Sequence, residues 1–587
     1  MTYRAPVADI AFTLKHGAGL AHALAQGGEL TADDVEAVLE EAGRFATDVL
    51  APLNVVGDRF GTPFNDGVIT MPPGWKEAYR GWAGAGWNAV SLPAEWGGQA
   101  LPHALNAACI EMWNSASMAF GIGPVLTMGA AEALAAHGSE DLKSTYLPKL
   151  VSGEWMGTMQ LTEPQAGSDV GALRTKAVRA NDGSYRITGQ KIFITYGEHD
   201  LTENIIHFVL ARLPDAPAGN KGISLFLVPK MLVAKDGSLR EHNDVRAHSI
   251  EHKLGIHASP TCTMVYGDKG GAVGYLVGEE NRGLACMFTM MNLARLAVGL
   301  QGVGVAERAT QQALQYARER KQGRALGAAS SSSAIVEHPD VKRMLMTMRA
   351  LTRAARAICY ATAGAIDGSD GKDDTANAAG ERAALLTPVA KAFSTDIGIE
   401  VASLGVQVHG GMGFIEETGA AQHLRDARIA AIYEGTNGIQ AIDLAIRKVP
   451  LSGGAVVRAY LEELRTTAEA VRAANDPAFG ATGVRLAEAV DSLDRATSWL
   501  LSKAEKEPQS ALAGATPYLR LFGNAAGGCM LADEALTALR IANGEAASRV
   551  AIARFFAENI AVQASGLERA VTEGGESVNG ADAALTA

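Results

Sequence analysis

The sequence lacks several features that would assign it to common classes of protein. Its five cysteines are scattered through 587 residues without a CxxC pair, so neither a disulfide framework nor a zinc site is predicted. We expect these cysteines to be buried, reduced thiols in a cytoplasmic protein that holds no metal.

Positive charge and long apolar runs are also scarce. The net charge of -12 and the pI near 5.6 oppose non-specific binding to nucleic acid, because no basic surface is available to neutralise a row of phosphates. No stretch of eighteen consecutive apolar residues occurs, and the first residues lack the basic and apolar regions of a signal peptide. We therefore expect no nucleic-acid partner and no integral membrane segment.

What is present is an apolar content of 48%, typical of a folded protein, with a pattern that changes along the chain. Val35, Val38, Leu39 and Ala42 recur at helical spacing, whereas residues 223–228 form a short apolar run of the kind found in strands. The predicted fold class is mainly α with a small central β domain. The predicted divisions are an N-terminal extension (1–35), an N-terminal helical domain (36–157), a β domain (158–280), a C-terminal helical bundle (281–450) and an additional helical C-terminal domain (451–587).

The first candidate functional residue is Glu434, in the run Y-E-G-T-N at 433–437. A carboxylate between an aromatic residue and a glycine can serve as a general base beside a ligand, because glycine lets the ligand approach the backbone closely. From these residues alone, a surface acid in an ordinary turn remains an alternative.

Two further segments, at the ends of predicted strands, have residues that could bind a ligand. The run T-E-P-Q-A-G-S-D at 162–169 can form a nest of backbone N–H groups for a phosphate or a ring edge. In F-I-T-Y-G at 193–197, Phe193 and Thr195 are two apart and therefore share one side of a strand, where an aromatic ring can wall a planar cofactor. The glycine-rich run at 299–304 lies in a helical pattern with no strand before it, which opposes a dinucleotide-binding loop there.

Together these segments resemble the acyl-CoA dehydrogenase flavoenzyme family. The family's W-I-T-N-G is matched by F-I-T-Y-G, and its T-E-P-x-A-G-S-D and Y-E-G-T strings occur in the same order. Its P-x-x-x-G-G loop is matched at 93–98, and its K-x-G-x-R-x-S-P-T segment is matched at 253–261, with His257 in place of the arginine. Its Y-A-x-x-R and Q-x-x-G-G-x-G-F motifs are matched at 316–320 and 407–414, so the resemblance covers roughly residues 36 to 450.

This resemblance implies the acyl-CoA dehydrogenase fold, with a β-barrel-like middle domain and bound FAD. It also implies FAD-dependent α,β-dehydrogenation of an acyl-CoA to the trans-2-enoyl-CoA. Glu434 would remove the α-proton, flavin N5 would accept the β-hydride, and electrons would pass to an electron-transfer flavoprotein. The thioester oxygen would be held by the backbone N–H of Glu434 and a ribityl hydroxyl. Some members place the base on the helix that contains Ala294, and no acid occupies that position here.

The family's binding positions are carried over by matching motifs. Some of the implied FAD contacts reach the FAD of a neighbouring subunit, which implies a homodimer or a higher homo-oligomer. The implied FAD contacts are Leu161, Thr162, Gly167, Ser168, Phe193, Thr195, Thr436 and, toward the neighbouring subunit, Arg320, Gln407, Gly410 and Gly411. The implied substrate contacts are Ser168, Arg295 and Gly435.

The residues before position 36 and after position 450 make the chain similar to a longer bacterial branch of the family. That branch implies either 3-(methylthio)propanoyl-CoA or a medium- to long-chain acyl-CoA as substrate. Two other functions share the fold: an acyl-CoA oxidase that uses oxygen, and a non-enzymatic, nucleic-acid-associated protein. The second is expected to have a basic C-terminal region and no catalytic base, whereas this chain is acidic and has Glu434.

Overall fold

Helices form both ends of the chain and a β domain lies between them. The computed structural model describes residues 3–20, 30–234, 236–329, 331–369 and 371–586; residues 21–29 of the predicted N-terminal extension lie outside this part. The predicted fold class, mainly α with a small central β domain, is confirmed.

The N-terminal helices surround an apolar core rich in tryptophan and alanine. Helix α2 begins at a capping box, in which the Thr31 hydroxyl accepts a hydrogen bond from the Asp34 N–H and the Asp34 carboxylate accepts one from the Thr31 N–H. The helices are α1 (Val7–Gly17), α2 (Ala32–Phe45), α3 (Ala51–Phe60), α4 (Trp75–Gly84), α5 (His103–Ala116), α6 (Met118–His137) and α7 (Glu140–Val151).

The middle of the chain forms an eight-stranded sheet and one small hairpin, β8 with β9, while a second hairpin, β1 with β2, lies among the N-terminal helices. The strands are β1 (Phe64–Asn65), β2 (Val68–Ile69), β3 (Met156–Gln160), β4 (Lys176–Arg179), β5 (Tyr185–Thr195), β6 (Ile205–Arg212), β7 (Ile223–Pro229), β8 (Met231–Val233), β9 (Leu239–His242), β10 (Val245–Ile250), β11 (Thr261–Tyr266) and β12 (Ala272–Val277).

Pairing within the large sheet closes a ring. Strand β5 pairs with β12, β12 with β7 and β7 with β6, while β4 pairs with both β5 and β6. Strand β3 lies parallel to β6, and β11 and β10 continue outward from β5. The five-stranded ring confirms the barrel-like middle domain, and it brings the ends of β3 and β5 to one side.

The C-terminal half contains a bundle of long helices followed by a second helical domain. The bundle consists of α8 (Gly283–Glu319), α9 (Pro339–Asp367), α10 (Asp374–His409), α11 (Ala420–Ala427) and α12 (Asn437–Ile442). The appended helices are α13 (Ala455–Ala474), α14 (Thr482–Lys503), α15 (Pro508–Ala513), α16 (Ala515–Arg540), α17 (Ala546–Asn559), α18 (Ala564–Thr572), α19 (Gly575–Asn579) and α20 (Asp582–Leu585).

Glycines allow the bundle helices to approach closely. The glycine-rich run at 299–304 lies inside α8, and a side chain there would collide with α10: a Cβ on Gly302 would lie 2.3 Å from the Ser394 carbonyl oxygen. The appended domain packs equally tightly, since a Cβ on Gly523 of α16 would lie 2.2 Å from the Phe393 ring of α10. Helix α10 is therefore clamped between α8 and the appended domain.

In the part of the chain that the structure describes, two helices are long and apolar enough, by length and composition, to cross a membrane. They are α6 and α8, and 89% and 56% of their apolar windows are buried inside the fold. Both pack on neighbouring helices of the core, so their apolar character is accounted for by packing.

Candidate active site

Glu434 lies in a loop whose backbone adopts an unusual conformation. Its φ is +56° and that of Gly435 is +82°, so two consecutive residues occupy the left-handed region. For a residue with a side chain this costs about 1–2 kcal/mol. Gly435 meets the same requirement without a side chain, and a Cβ on it would lie 2.6 Å from Gln440 Nε2.

Hydrogen bonds on both sides hold this loop in place. The Tyr433 hydroxyl bonds to Gln301 Oε1 of α8. Gln440 Nε2 donates to the Glu434 carbonyl oxygen at 3.3 Å, and the Thr436 hydroxyl caps α12 by accepting from the Ile439 N–H at 3.3 Å. The loop therefore has one set of contacts to α8 and another to the helix that follows it.

The Glu434 carboxylate is partly open to solvent but densely surrounded by protein atoms. This desolvation raises its pKa to about 7, against the opposing effect of two cations, Arg295 of α8 and Lys391 of α10. A carboxylate with a pKa near neutrality holds a proton more strongly than an ordinary glutamate, yet is still partly ionised at pH 7. That is the property expected of a general base.

Arg295 lies on a stretch of α8 whose neighbouring residues also line a narrow cavity. Burial lowers the pKa of its guanidinium, while Asp443 and Glu434 oppose that shift. The α8 residues on either side of Arg295 line a narrow cavity of about 30 Å³ between α5, α6 and α8. The cavity lining is mostly apolar and includes Asn106, Ile110, Val125, Met128, Gly129, Glu132, Leu293, Leu296, Ala297 and Leu300.

The 162–169 segment is positioned by a buried ion pair. Lys191 Nζ lies 2.8 Å from Glu163 Oε1 and donates to the Leu161 carbonyl oxygen at 3.0 Å. Burial alone would raise the pKa of Glu163, but Lys191 and the Thr175 and Arg174 hydrogen bonds lower it to about 2. Glu163 is therefore a permanently charged anchor that fixes Leu161 and Thr162, while Gly167 and Ser168 lie exposed on the same loop.

Phe193 forms an exposed apolar surface beside this loop. Its ring is 59% exposed and its φ is +60°, at a point where the pairing of β5 with β11 shifts register. Thr195 is part-exposed, and Ile194 between them is buried. The Ile192 N–H donates to the Thr162 carbonyl oxygen at 3.0 Å, so Phe193 and the 162–169 segment form one continuous face.

The remaining predicted cofactor contacts lie at the far end of the bundle. Tyr316 of α8 stacks on His409 of α10 with ring centroids 4.4 Å apart, which places Arg320 near Gln407, Gly410 and Gly411. This group lies roughly 37 Å from Arg295 along α8, since each helical residue adds about 1.5 Å. A Cβ on Gly410 or Gly411 would meet no atom within 4 Å, so the surface there is open.

The structure thus gathers the predicted residues into three groups. One group is Leu161, Thr162, Gly167, Ser168, Phe193 and Thr195; a second is Arg295, Glu434, Gly435 and Thr436; and a third is Arg320, Gln407, Gly410 and Gly411. Residue patterns alone missed Lys391, Asn437 as an anchor and the cavity residue Glu132. The available signal for Lys391 was a single charge in the run 383–395 of α10, which is otherwise apolar or uncharged.

Other parts of the described structure are weaker candidates for a functional site. A cleft of about 440 Å³ lies between the N-terminal segment, α8, α9 and the start of α17, and its lining acids and arginines largely neutralise each other. Within the described ranges no group of three or more histidine, cysteine and acidic side chains could hold a metal ion. All five cysteines are buried and free.

Comparisons with known proteins match nearly the whole length of the chain. Four family profiles match consecutive parts: acyl-CoA dehydrogenase N-terminal domain at 32–154, middle domain at 158–268, C-terminal domain at 281–449, and acetyl-CoA dehydrogenase C-terminal like at 460–582.

Individual proteins agree with the family profiles. The 3-methylmercaptopropionyl-CoA dehydrogenase of Ruegeria pomeroyi is 48% identical, with 98% of this chain and 99% of that protein covered. The broad-specificity linear acyl-CoA dehydrogenase FadE5 of Mycobacterium tuberculosis is 33% identical, with 95% of each chain covered. The crystal structure of Caenorhabditis elegans ACDH-11 in complex with C11-CoA has the same fold, with a TM-score of 0.79, 20% identity, and 98% of this chain and 95% of that chain covered.

Proposed function

The chain belongs to the acyl-CoA dehydrogenase family of FAD-dependent enzymes, and from this premise we propose that it oxidises a short acyl-CoA to the trans-2-enoyl-CoA, with Glu434 as the base. The favoured substrate is 3-(methylthio)propanoyl-CoA, the acyl group named for the 48% identical relative. The observation that carries the proposal is Glu434 itself, a carboxylate with a pKa of about 7 that is under the influence of two cations, Arg295 and Lys391.

The surface formed by Phe193 and the 162–169 segment fits FAD. The exposed Phe193 ring offers a flat apolar wall, and Gly167 has open space where a side chain would stand. Leu161, Thr162, Ser168, Thr195 and Thr436 would complete the flavin contacts. When bound, FAD supplies the acceptor for the hydride that leaves the β-carbon.

The distant group at Arg320, Gln407, Gly410 and Gly411 lies too far along α8 to share the same flavin ring. We propose that it binds the adenosine end of a neighbouring subunit's FAD, so the active protein is a homodimer or a higher oligomer. Exposed apolar side chains next to it, Met412 at 48% and Phe414 at 86%, would be covered by that neighbour.

The chain's own residues prepare the proton transfer. Glu434 accepts the α-proton. Its raised pKa reduces the difference between the pKa of the base and that of the weakly acidic α-carbon. The backbone N–H of Glu434 holds the thioester oxygen and stabilises the charge that develops there. Arg295 and Gly435 border the path of the CoA thioester. The left-handed turn directs the carboxylate and its own N–H to the same substrate.

The cavity favours a short acyl tail. Its volume of about 30 Å³ takes roughly two water-sized groups, which suits the sulfur and methyl of a methylthio tail. A longer chain would have to displace Leu296 and Leu300, which are 4% and 0% exposed.

We predict that 3-(methylthio)propanoyl-CoA and butanoyl-CoA have at least tenfold higher kcat/KM than octanoyl-CoA in an anaerobic assay with an artificial acceptor. Leu296→Ala should raise the octanoyl-to-butanoyl ratio by about tenfold, because each extra CH₂ that is accommodated contributes about 0.8 kcal/mol. Leu512→Ala, on the appended domain, is the matched control and should leave the ratio unchanged. A preference of the unmodified protein for octanoyl-CoA would contradict the short-chain assignment.

We also predict that kcat/KM falls about tenfold per pH unit below pH 7. Because the base works as a carboxylate and burial raises its pKa to about 7, protonation removes it as the pH falls through that value. A profile measured from pH 5.5 to 9 with flavin content monitored checks this. If kcat/KM instead begins to fall only near the ordinary pKa of a glutamate, Glu434 is not desolvated in the enzyme.

The physiological electron acceptor is proposed to be an electron-transfer flavoprotein in the cytoplasm. Rapid mixing of substrate-reduced protein with oxygen separates this from an oxidase, since an oxidase is reoxidised at once and a dehydrogenase slowly. A purified protein that is colourless and binds no FAD would contradict the proposed function as a whole.

A further inference from the structure

A lysine with no exposure to solvent lies behind the Glu434 loop. Lys391, in the middle of α10, is 0% exposed, and its Nζ donates to Asn437 Oδ1 at 2.8 Å. A buried ammonium is costly unless nearby anions compensate it. The anions that face Lys391 are Glu434 and Asp396.

Asn437 links this lysine to the loop that carries the base. It is the first residue of α12 and follows Glu434 by three positions. Its Nδ2 donates to Asp396 Oδ1 at 2.7 Å and to the Ala392 carbonyl oxygen at 3.1 Å. The Asn437 amide thus bridges the cation and the anion on α10, and the start of α12 is held in one orientation.

The appended domain closes the outer side of this network. Arg520 of α16 lies over the Phe393 ring at 5.6 Å from its centroid and bonds to Glu400 Oε2 at 3.0 Å. Its charge also acts on Asp396, whose pKa is raised by burial and lowered by Asn437, Arg520 and Lys391. Tight packing of Gly523 on Phe393 excludes water from that side.

On the basis of the proposed function, we propose that Lys391 is a positioning residue: through Asn437 it orients the Glu434 loop, and its charge keeps the Glu434 carboxylate ionised and ready for the α-proton. This assigns a role in the reaction to a side chain that does not reach the substrate. It also implies a role for the appended domain, which packs on α10 and so helps to hold Lys391 in place.

The charges that act on Glu434 agree with a role for Lys391 in keeping this carboxylate ionised. Burial raises the pKa of Glu434 to about 7, and only Arg295 and Lys391 oppose it among the charges acting on the described carboxylate. Burial lowers the pKa of Lys391 to about 8, against Glu434 and Asp396, so the lysine is still largely charged at pH 7. The other charged and titratable groups around the pair are Asp443 and Arg447 near Arg295, Tyr433 beside Glu434, Asp426 near Tyr433, and Glu400 and Arg520 near Asp396.

The test is the pH profile of Lys391→Met, with Lys391→Arg and Lys253→Met as comparisons. Without the positive charge, the acidic limb of kcat/KM should move up by about one pH unit. The rate at pH 6.5 should then fall about tenfold, while at pH 9 it stays within about threefold of the unmodified protein. Lys391→Arg should keep the acidic limb in place. Lys253→Met should also keep it in place, because that part-buried lysine interacts with Cys262, Asp426 and Glu251 rather than with Glu434.

A second readout does not depend on turnover. The infrared band of protonated carboxyl groups can be titrated with pH, and the Glu434 component is identified by its loss in Glu434→Gln. Lys391→Met should shift that component to higher pH. If Lys391→Met does not fold, Lys391→Gln carries the same test, since it can donate to Asn437 Oδ1 without a charge.

The outcomes separate this inference from the proposed function. An equal loss of rate at every pH with an unmoved limb, or an unmoved carboxyl band, would show that Lys391 is only structural and overturn the inference. If the unmodified protein binds FAD but oxidises no acyl-CoA, the proposed function fails, while the infrared titration still decides whether Lys391 controls the ionisation of Glu434.

Discussion

Replacement of Glu434 by glutamine is expected to leave a yellow, folded protein whose oxidation of acyl-CoA is about 100- to 10,000-fold slower. Glutamine keeps the size and the left-handed backbone of the residue but has no basic oxygen for the α-proton. Its backbone N–H is unchanged, so the substrate should still bind. Flavin absorbance, the dissociation constant of a substrate analogue and the acceptor-coupled rate measure these three properties separately.

Two comparison variants make this result specific. Glu132→Gln removes the carboxylate that lines the cavity, and it should cost far less than the loss of Glu434, which is the proposed base. Glu469→Gln, an exposed residue of α13, should stay within about twofold of the unmodified rate. Turnover of Glu434→Gln above 1% of the unmodified rate would show that another base does the work, and Glu132 would be the first residue to test.

Local sequence patterns could predict much of the fold because most helices and strands here have strong local signals. The alternating and short apolar runs of 158–280 predicted the β domain, and the helical spacing around Val35 to Phe45 predicted α2. Closure of the strands into a ring depends on the single pair Lys176 and Arg212, residues far apart in sequence. No local pattern encodes such a contact.

In the candidate site, too, local sequence patterns predicted some features and missed those that depend on tertiary contacts. Motifs identified Glu434, Phe193 and the 162–169 segment, because glycine, proline and aromatic residues mark loops that approach a ligand. They did not reveal that Phe193 and Glu434 have positive φ, since tertiary packing imposes those conformations. Lys391 escaped notice for a related reason: its role depends on which face of α10 is buried and on an asparagine 46 positions later.

Long-range contacts of another kind join the N-terminal segment, the bundle and the appended domain. Asp9 of α1 pairs with Arg353 at 2.9 Å and Arg356 at 3.0 Å on α9, and with Arg549 at 2.7 Å on α17. Burial alone would raise the pKa of Asp9, yet these arginines hold it below its ordinary value. Helix α1 and the appended domain are therefore attached to the helical bundle through one buried cluster of charges.

Arg356 is the centre of that cluster, and Arg356→Met is expected to lower the free energy of unfolding by about 3–5 kcal/mol. Its guanidinium is 0% exposed and donates to Glu111 at 2.6 Å and Glu307 at 2.8 Å. Methionine fills similar space but leaves the Glu111 carboxylate buried without its main partner. Denaturant unfolding at pH 7.5, compared with Arg382→Met at an exposed pair, measures the effect; Arg382→Met should cost less than about 1 kcal/mol.

Two causes of this destabilisation, the lost charge of Arg356 and its lost packing, can be separated by experiment. Burial raises the pKa of Glu111, against the effect of Arg356, so without that arginine the carboxyl should take up a proton as the pH falls. The deficit of Arg356→Met should therefore shrink at lower pH, and the double variant Arg356→Met with Glu111→Gln should recover part of the stability at pH 7.5. A deficit that is independent of pH and unchanged in the double variant would show that the shape of Arg356, and not its charge, stabilises the junction.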